Sequence, residues 1–229
     1  MKSSKFCALI LAAGKGTRMQ SDLAKVLHKM NDRPLLSYVL ATARTAGAEK
    51  IVVIVGHQAD KVREAFPDAD LEFALQNPQL GTGHAVMQAR SLLADYPGLT
   101  VILCGDVPLL LSDTVRTLVA SHQAAGAAVT VLTTEPPGPH AYGRIVKNDR
   151  GEVLKIVEHR DATDREKEIL EINTGIYCVD TPFLFAALNQ VKNDNRQKEY
   201  YLTDIVEIAR KDGRKVQACL TADYVEVMG

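Results

Sequence analysis

The sequence has almost no net charge: 27 lysines and arginines stand against 28 aspartates and glutamates, giving −1 at neutral pH. No global field therefore draws the chain to nucleic acid or anionic lipid, and no basic stripe supplies a local one. An anionic substrate has to be held by a few local cations. The four cysteines, Cys7, Cys104, Cys178 and Cys219, include no C-x-x-C pair, which removes a zinc knuckle or redox dithiol. Embedded in apolar runs, they read as buried thiols of a reducing compartment. Internal repeats and low-complexity segments are also missing. Residues 6–13 form an apolar run about as long as a signal-peptide core, and no other stretch approaches the length of a membrane span. That run, preceded by Lys2 and Lys5, enters a loop of glycines and cations and not a cleavage site, so it reads as a strand. The expectation is a soluble, cytoplasmic protein.

What is present suits one α/β core. The chain has 229 residues, 46% of them hydrophobic, enough for a single sizeable domain spanning residues 1–229. Short β-branched runs alternate with amphipathic segments, the pattern of a mostly parallel sheet with helices on both faces. Strands are predicted at residues 6–12, 51–55, 71–75, 100–104 and 128–133. Pro34 opens a helix that carries Leu35, Leu36, Val39, Leu40 and Ala43 on one face and closes at Gly47. Ser112 is placed to cap another. After the turn cluster at 135–139 the rhythm changes to strand-like pieces at 142–147, 153–158 and 171–179, with a very charged stretch at 161–168 between the last two, which reads as a mixed or antiparallel insertion. Helical patterns return at 182–188 and 202–211, before a final strand at 215–220.

The first strand runs into Gly14-Lys15-Gly16-Thr17-Arg18. Small residues there let backbone N–H groups approach phosphate oxygens, and the cations neutralise them. The Walker spacing is not met, and the third glycine of a dinucleotide fingerprint is missing. Lys15, Arg18 and Lys25 place three positive charges within eleven residues against one acid, Asp22, a density that suits a triphosphate. A loop that merely joins strand to helix is the plainer reading of a Gly-x-Gly, and the cations decide against it.

Asp106 follows the apolar run 101–104 and Gly105, just past the end of a predicted strand, where open α/β sheets place ligands. Magnesium favours such a place, taking one or two carboxylates, phosphate oxygens and water. Alone, Asp106 is equally suited to capping a turn before Pro108; with the cationic loop, the metal reading prevails. Gln76 and Gly81-Thr82-Gly83-His84 follow another predicted strand. The Gln76 amide could read the edge of a base, or simply be solvated in a loop.

Leu11-Ala12-Ala13-Gly14-x-Gly16-Thr17-Arg18-Met19, Lys25, Gln76, Gly81-Thr82-Gly83-His84, Gly105-Asp106-Val107-Pro108-Leu109, Tyr142-Gly143-Arg144-Ile145 and Glu171-Ile172-Asn173-Thr174-Gly175-Ile176-Tyr177 occur in one order. Together they resemble the uridyltransferase half of the bacterial bifunctional N-acetylglucosamine-1-phosphate uridyltransferase/glucosamine-1-phosphate acetyltransferases, over essentially the whole chain. The first motif is common to many sugar-nucleotide pyrophosphorylases; the last two narrow the resemblance.

That resemblance implies the Rossmann-like nucleotidyltransferase fold, with a nucleotide-binding part at about 1–134 and, at about 135–229, a small β-rich sugar-binding insertion and a return to the sheet. It implies UTP and N-acetylglucosamine 1-phosphate as substrates and Mg²⁺ as cofactor. Leu11, Ala12, Ala13, Gly14, Gly105 and Lys25 would cradle the nucleotide, while Gln76, Gly81 and Thr82 hold the uracil. Arg18 would stabilise departing pyrophosphate and Asp106 would bind the metal. Gly143, Glu158 and Asn173 would line the sugar pocket. The family pattern continues past the segment resembling residues 225–229 to a second metal ligand, an asparagine, and to a β-helix half that performs acetyl transfer and builds a trimer. Neither is in this sequence, so no acetyl transfer is expected, and a trimer only where that half is present. Rival readings are a same-fold thymidylyl- or cytidylyltransferase with another sugar or alditol phosphate, and a nucleotide-binding module without catalysis.

Overall fold

The computed structural model describes residues 5–14, 16, 19 and 21–229. Strand β1 (Phe6–Ala12) lies inside the main sheet, paired on both edges, and is apolar on both sides. Cys7 and Leu9 enter one core, while Phe6, Ala8 and Ile10 enter the other, all buried. Two covered faces explain a continuous apolar run where a half-exposed strand would alternate.

The chain then forms a short 3₁₀ turn at Lys25–Leu27 and a small ribbon, β2 (Lys29–Met30) with β3 (Arg33–Pro34), before helix α1 (Leu35–Ala46). Leu36, Val39, Leu40, Ala43 and Ala46 form the buried stripe of α1. Burial of Leu36, Val39 and Leu40 contributes on the order of 5 kcal/mol of transfer free energy. Gly47 closes the helix as predicted, at φ 96°, with its N–H bonded to the Arg44 carbonyl.

Next come β4 (Lys50–Val55), α2 (Ala59–Ala65), β5 (Leu71–Leu75), α3 (Thr82–Met87), α4 (Arg90–Leu93) and β6 (Leu99–Cys104). Strands β4 and β5 extend the sheet to one side of β1 and β6 pairs on the other, all parallel. The order of strands thus reverses between β1 and β6. This switch point leaves a crevice at their carboxyl ends.

Helix α5 (Ser112–Ala125) and β7 (Val129–Thr134) follow. Ser112 does not cap α5: it is the first helical residue, the cap position falls to Leu111, and the Leu111 N–H is taken by Glu226 Oε1 at 2.9 Å. The remaining elements are β8 (Arg144–Lys147), β9 (Val153–Val157), α6 (Asp164–Lys167), β10 (Ile172–Asp180), α7 (Thr181–Leu188), α8 (Asp204–Lys211) and β11 (Val216–Leu220).

The predicted insertion is smaller than its sequence pattern suggests. Only β8 and β9 stand off the main path; β10 enters the sheet between β6 and β7, antiparallel to both, and β11 lies at the edge, parallel to β7. The physical reason is two-sided apolarity: Ile176 and Cys178 join one core while Tyr177 and Val179 join the other. The β10 register shifts between Asn173 and Tyr177, around Gly175 at φ 81°. Such a bulge re-aims side chains beside a site. Among the described residues, no helix is long and apolar enough to cross a membrane.

Candidate functional site

The crevice at the switch point is floored by two strand ends held side by side. Leu11 is in register with Cys104, and the Gly105 N–H reaches the Leu11 carbonyl at 2.9 Å. A Cβ on Gly105 would stand 3.0 Å from that oxygen and 3.2 Å from Val26 Cγ1, so close approach of the two strand ends requires glycine. From the β1 end the chain leaves through Ala13 and Gly14, and from the β6 end it presents Asp106. Among the described residues, no atom lies within 4 Å of where a Gly14 Cβ would be, so the backbone is bare there. Across the floor, Lys25 Nζ sits 2.5 Å from Asp106 Oδ2, with side chains only 20% and 28% exposed. Partial exclusion of water makes this pair stronger than a surface one, while leaving both groups open to the crevice.

One wall is the loop between β5 and α3. Gln76 is buried, with its backbone N–H on the Val55 carbonyl at 2.8 Å. Its side-chain Nε2 donates to the Gly81 carbonyl at 2.9 Å and lies 3.2 Å from His84 Nδ1. Burial pushes the His84 pKa down, which favours a neutral ring able to accept that proton. With Nε2 so engaged, the carboxamide oxygen is the end of Gln76 with capacity for a ligand. The segment 199–203 straps this loop from outside: Tyr200 N–H bonds the Leu80 carbonyl at 2.8 Å, Gly83 N–H the Tyr200 carbonyl at 2.7 Å, and Leu202 N–H the Thr82 hydroxyl at 3.0 Å. The cleft, open on one side, holds about 330 Å³.

A second group lies beyond Cys104. The Asn173 N–H donates to the Gly143 carbonyl at 2.9 Å, and the Asn173 side-chain oxygen accepts from Gly175 N–H at 2.9 Å. Glu158, one residue past the end of β9 and not within the strand, accepts from the Thr203 hydroxyl at 3.2 Å. A Cβ on Gly143 would come within 3.5 Å of Glu158 Oε2, so glycine leaves space beside that carboxylate. Burial, more than neighbouring acids, pushes the Glu158 carboxyl above its ordinary range. Arg144 is buried behind this group and donates to the carbonyls of Tyr142 and His140, which holds the turn carrying Gly143.

The two groups meet through Cys104, whose thiol lies 3.5 Å from the Gly175 carbonyl. A Cβ on Gly175 would come within 2.9 Å of that sulfur. Burial, and secondarily the charge of Asp106, raises the Cys104 pKa to about 12, so it serves as packing and not as a nucleophile.

Of the residues singled out from sequence, Leu11, Ala12, Ala13, Gly14, Lys25, Gln76, Gly81, Thr82 and Asp106 converge on one cleft, with Gly105 directly behind it. Gly143, Glu158 and Asn173 form the adjacent group and do not line that cleft. Arg18 lies outside the described residues, as do Lys15 and Thr17. Cleft residues that the sequence reading misses are Val26, Gln79, Ala85, Cys104 and Glu199. Gln79 had a local signal, the Asn77-Pro78-Gln79 turn; Glu199 had none, because it arrives from a segment more than a hundred residues after the loop it packs on.

Among the described residues, no group of three or more His, Cys, Asp or Glu side chains could hold a metal by itself. The donor set at Asp106 fits a different kind of metal: a hard cation that takes one protein carboxylate and completes its shell with substrate phosphates and water, as magnesium does.

A family model described as nucleotidyl transferase matches residues 7–225. Among curated proteins, the chain is similar to the bifunctional protein GlmU of Geobacter sulfurreducens, 51% identical over 223 residues that cover 97% of this chain and 47% of that protein. With the protein of the same name from Bacillus mycoides it is 50% identical over 227 residues, 99% of this chain and 49% of the relative. The chain therefore spans about half the length of the curated relatives it matches. A solved UDP-glucose pyrophosphorylase, complexed with UDP-glucose, superposes with a TM-score of 0.74 at 18% identity, covering 94% of this chain and 90% of that one. It shares the fold, a mixed and mostly parallel sheet covered by helices.

Proposed function

The chain belongs to the nucleotidyl transferase family, and on that premise we propose that it joins UTP to N-acetylglucosamine 1-phosphate, releasing pyrophosphate and forming UDP-N-acetylglucosamine, a precursor of the bacterial cell wall. The observation that carries this reading is the Lys25–Asp106 pair, 2.5 Å apart at the floor of a switch-point cleft whose wall is Gln76, Gly81 and Thr82. In this reading the chain is one unit: residues 1–134 hold the nucleotide and residues 135–229 bring the sugar to it, in the cytoplasm.

The triphosphate lies over the bare backbone of Gly14, with Lys25 neutralising its phosphates and Leu11, Ala12 and Ala13 beneath. Uracil stands against Gln76, Gly81 and Thr82, where the free capacity of the Gln76 carbonyl accepts from the base. The sugar lies against Gly143, Glu158 and Asn173, and its phosphate oxygen attacks the α-phosphorus. One phosphorus–oxygen bond forms as the bond to pyrophosphate breaks in line. No general base is needed, because the attacking phosphate is already ionised near neutral pH. Asp106 would hold magnesium, which supplies charge neutralisation at the phosphates when bound. Arg18 would take up charge developing on pyrophosphate. Catalysis is thus positioning plus charge stabilisation.

Glu158 supplies the test of the sugar half. Glu158→Gln keeps the shape but weakens a charge-assisted bond to a sugar hydroxyl, so KM for the sugar phosphate should rise about tenfold while KM for UTP is unchanged. Initial-rate kinetics with each substrate varied separately would read this. A rise in both constants would place Glu158 outside the sugar site.

The reaction itself is tested by pyrophosphate release from UTP and N-acetylglucosamine 1-phosphate, with and without Mg²⁺, with CTP and dTTP as competitors. Metal-dependent release selective for UTP is expected. Equal use of CTP or dTTP would overturn the uracil assignment, and no release with any of them would leave a nucleotide-binding module.

A further inference from the structure

The position of Lys25 depends on backbone that is gripped from outside its own loop. Gln58, in the turn between β4 and α2, folds its carboxamide back onto the segment that leads to Lys25. Its Oε1 accepts from the Ala24 N–H at 3.0 Å and its Nε2 donates to the Asp22 carbonyl at 2.7 Å. His57 Nε2 lies 3.3 Å from that same carbonyl oxygen. One planar amide thus satisfies a donor and an acceptor two residues apart, just ahead of the lysine.

The other side of the turn rests on the cleft floor. His57 N–H reaches the Ala13 carbonyl at 3.3 Å, and a Cβ on Gly56 would stand 2.9 Å from that oxygen. The turn therefore ties the end of β1 to the segment carrying Lys25, which in turn meets Asp106 at the end of β6. Three strand ends and one lysine are indexed to one another through it.

Gln58 makes this grip from φ 53° and ψ 40°, left-handed backbone that disfavours any residue with a Cβ and suits glycine. Its side chain gives no capping bond to α2, so the helix does not explain it. A residue held where glycine would be cheaper, with both ends of its amide spent on a neighbouring loop, points to selection for that loop's position.

We infer that Gln58 is a positioning residue for the nucleotide: from outside the cleft, its carboxamide fixes the backbone before Lys25 and thereby sets the ammonium against the phosphates. The activity arm rests on the uridyltransferase reading; the structural and phosphate-binding arms do not. In Gln58→Gly the amide is lost and the backbone is relaxed, so folding and positioning should move in opposite directions. The melting temperature is expected to hold or rise. Hydrogen exchange at the Ala24 amide should accelerate at least tenfold, and calorimetric affinity for pyrophosphate, used as the probe, should fall roughly tenfold. KM for UTP should rise by a similar factor with KM for the sugar phosphate unchanged, a split that a merely structural role would not produce. Gln58→Glu retains the acceptor for Ala24 N–H but turns a carboxylate oxygen on the Asp22 carbonyl, so it should reproduce the pyrophosphate loss with slower Ala24 exchange than the glycine variant. The inference is overturned if Gln58→Gly binds pyrophosphate as the unmodified protein does, or if its losses scale with a fall in melting temperature. Should the unmodified protein bind pyrophosphate yet fail to turn over UTP, the proposed reaction falls, and the exchange and affinity arms still decide the role of Gln58.

Discussion

Asp106→Asn is expected to lower turnover by on the order of 10³-fold or more while leaving the fold intact, because in the proposed reading this carboxylate at the cleft floor would hold the hard cation. Asparagine preserves shape and loses charge, so a loss of turnover with the fold intact reports on the charge alone. Stability should change little, since the pair is open to the crevice and Lys25 can be solvated there. Nucleotide affinity gives the sharper signature. Without metal, the Asp106 charge opposes the triphosphate and occupies Lys25, so UTP should bind the variant as well as, or more tightly than, the unmodified protein in chelator. With Mg²⁺ the order should reverse, because in the proposed reading the carboxylate would anchor the cation between protein and phosphates. Titration calorimetry in both conditions checks this. Turnover within tenfold of the unmodified protein, or the same change in UTP affinity with and without Mg²⁺, would remove Asp106 from the metal's shell.

The parts of this site that are legible in sequence are those made by short segments. The run 6–12 and the glycines after it are contiguous, and the chemistry they imply, bare backbone beside cations, needs no partner to be read. The same holds for Gly105-Asp106, whose place at a strand end follows from the apolar run before it. Sheet order is different. The run 172–180 is recognisable as a strand, but its insertion between β6 and β7 depends on pairings with residues scores of positions away, and no local pattern records that. Helix α6 hides in the charged stretch 161–168, although Thr163-x-x-Glu166 is a capping-box signature and both of its bonds form. Charge density masks that local signal.

Glu199 and Thr203 are illegible for a stronger reason. Each is one polar residue on a strap whose function comes from what it lies against: Glu199 from the β5–α3 loop, Thr203 from Glu158. The strap connects the two groups of residues, since its carbonyl and amides hold the β5–α3 loop while the Thr203 hydroxyl reaches Glu158. In the proposed reading, nucleotide and sugar recognition would share this one piece of backbone, and a disturbance of the strap should affect both.

Gly81→Ala makes that disturbance at a single atom. Gly81 has φ 105° and ψ 174°, a region closed to residues with a Cβ. An added Cβ would also stand 2.7 Å from the Tyr200 carbonyl oxygen and 2.8 Å from Glu199 Cβ, and neither neighbour is the free end of a flexible side chain. Backbone strain and overpacking each cost on the order of 1 to 3 kcal/mol, so a total of about 3 to 4 kcal/mol is expected, read as a fall of about 10 °C in Tm. Relief requires the strap to move away, which breaks the bonds from Tyr200 to Leu80 and from Gly83 to Tyr200. Gln76 then loses the Gly81 carbonyl that fixes its amide. At a temperature where the variant is folded, kcat/KM should drop on the order of 100-fold, with KM for UTP raised most. Gly213→Ala is the matched control: it shares a positive φ, 68°, but nothing lies within 4 Å of its added Cβ. The control should lose only about 1 kcal/mol and no activity. If the two variants lose equal stability, strain alone governs Gly81 and the contact with the strap is idle. If Gly81→Ala is destabilised yet binds UTP normally, the wall formed by the β5–α3 loop is not where the base is read.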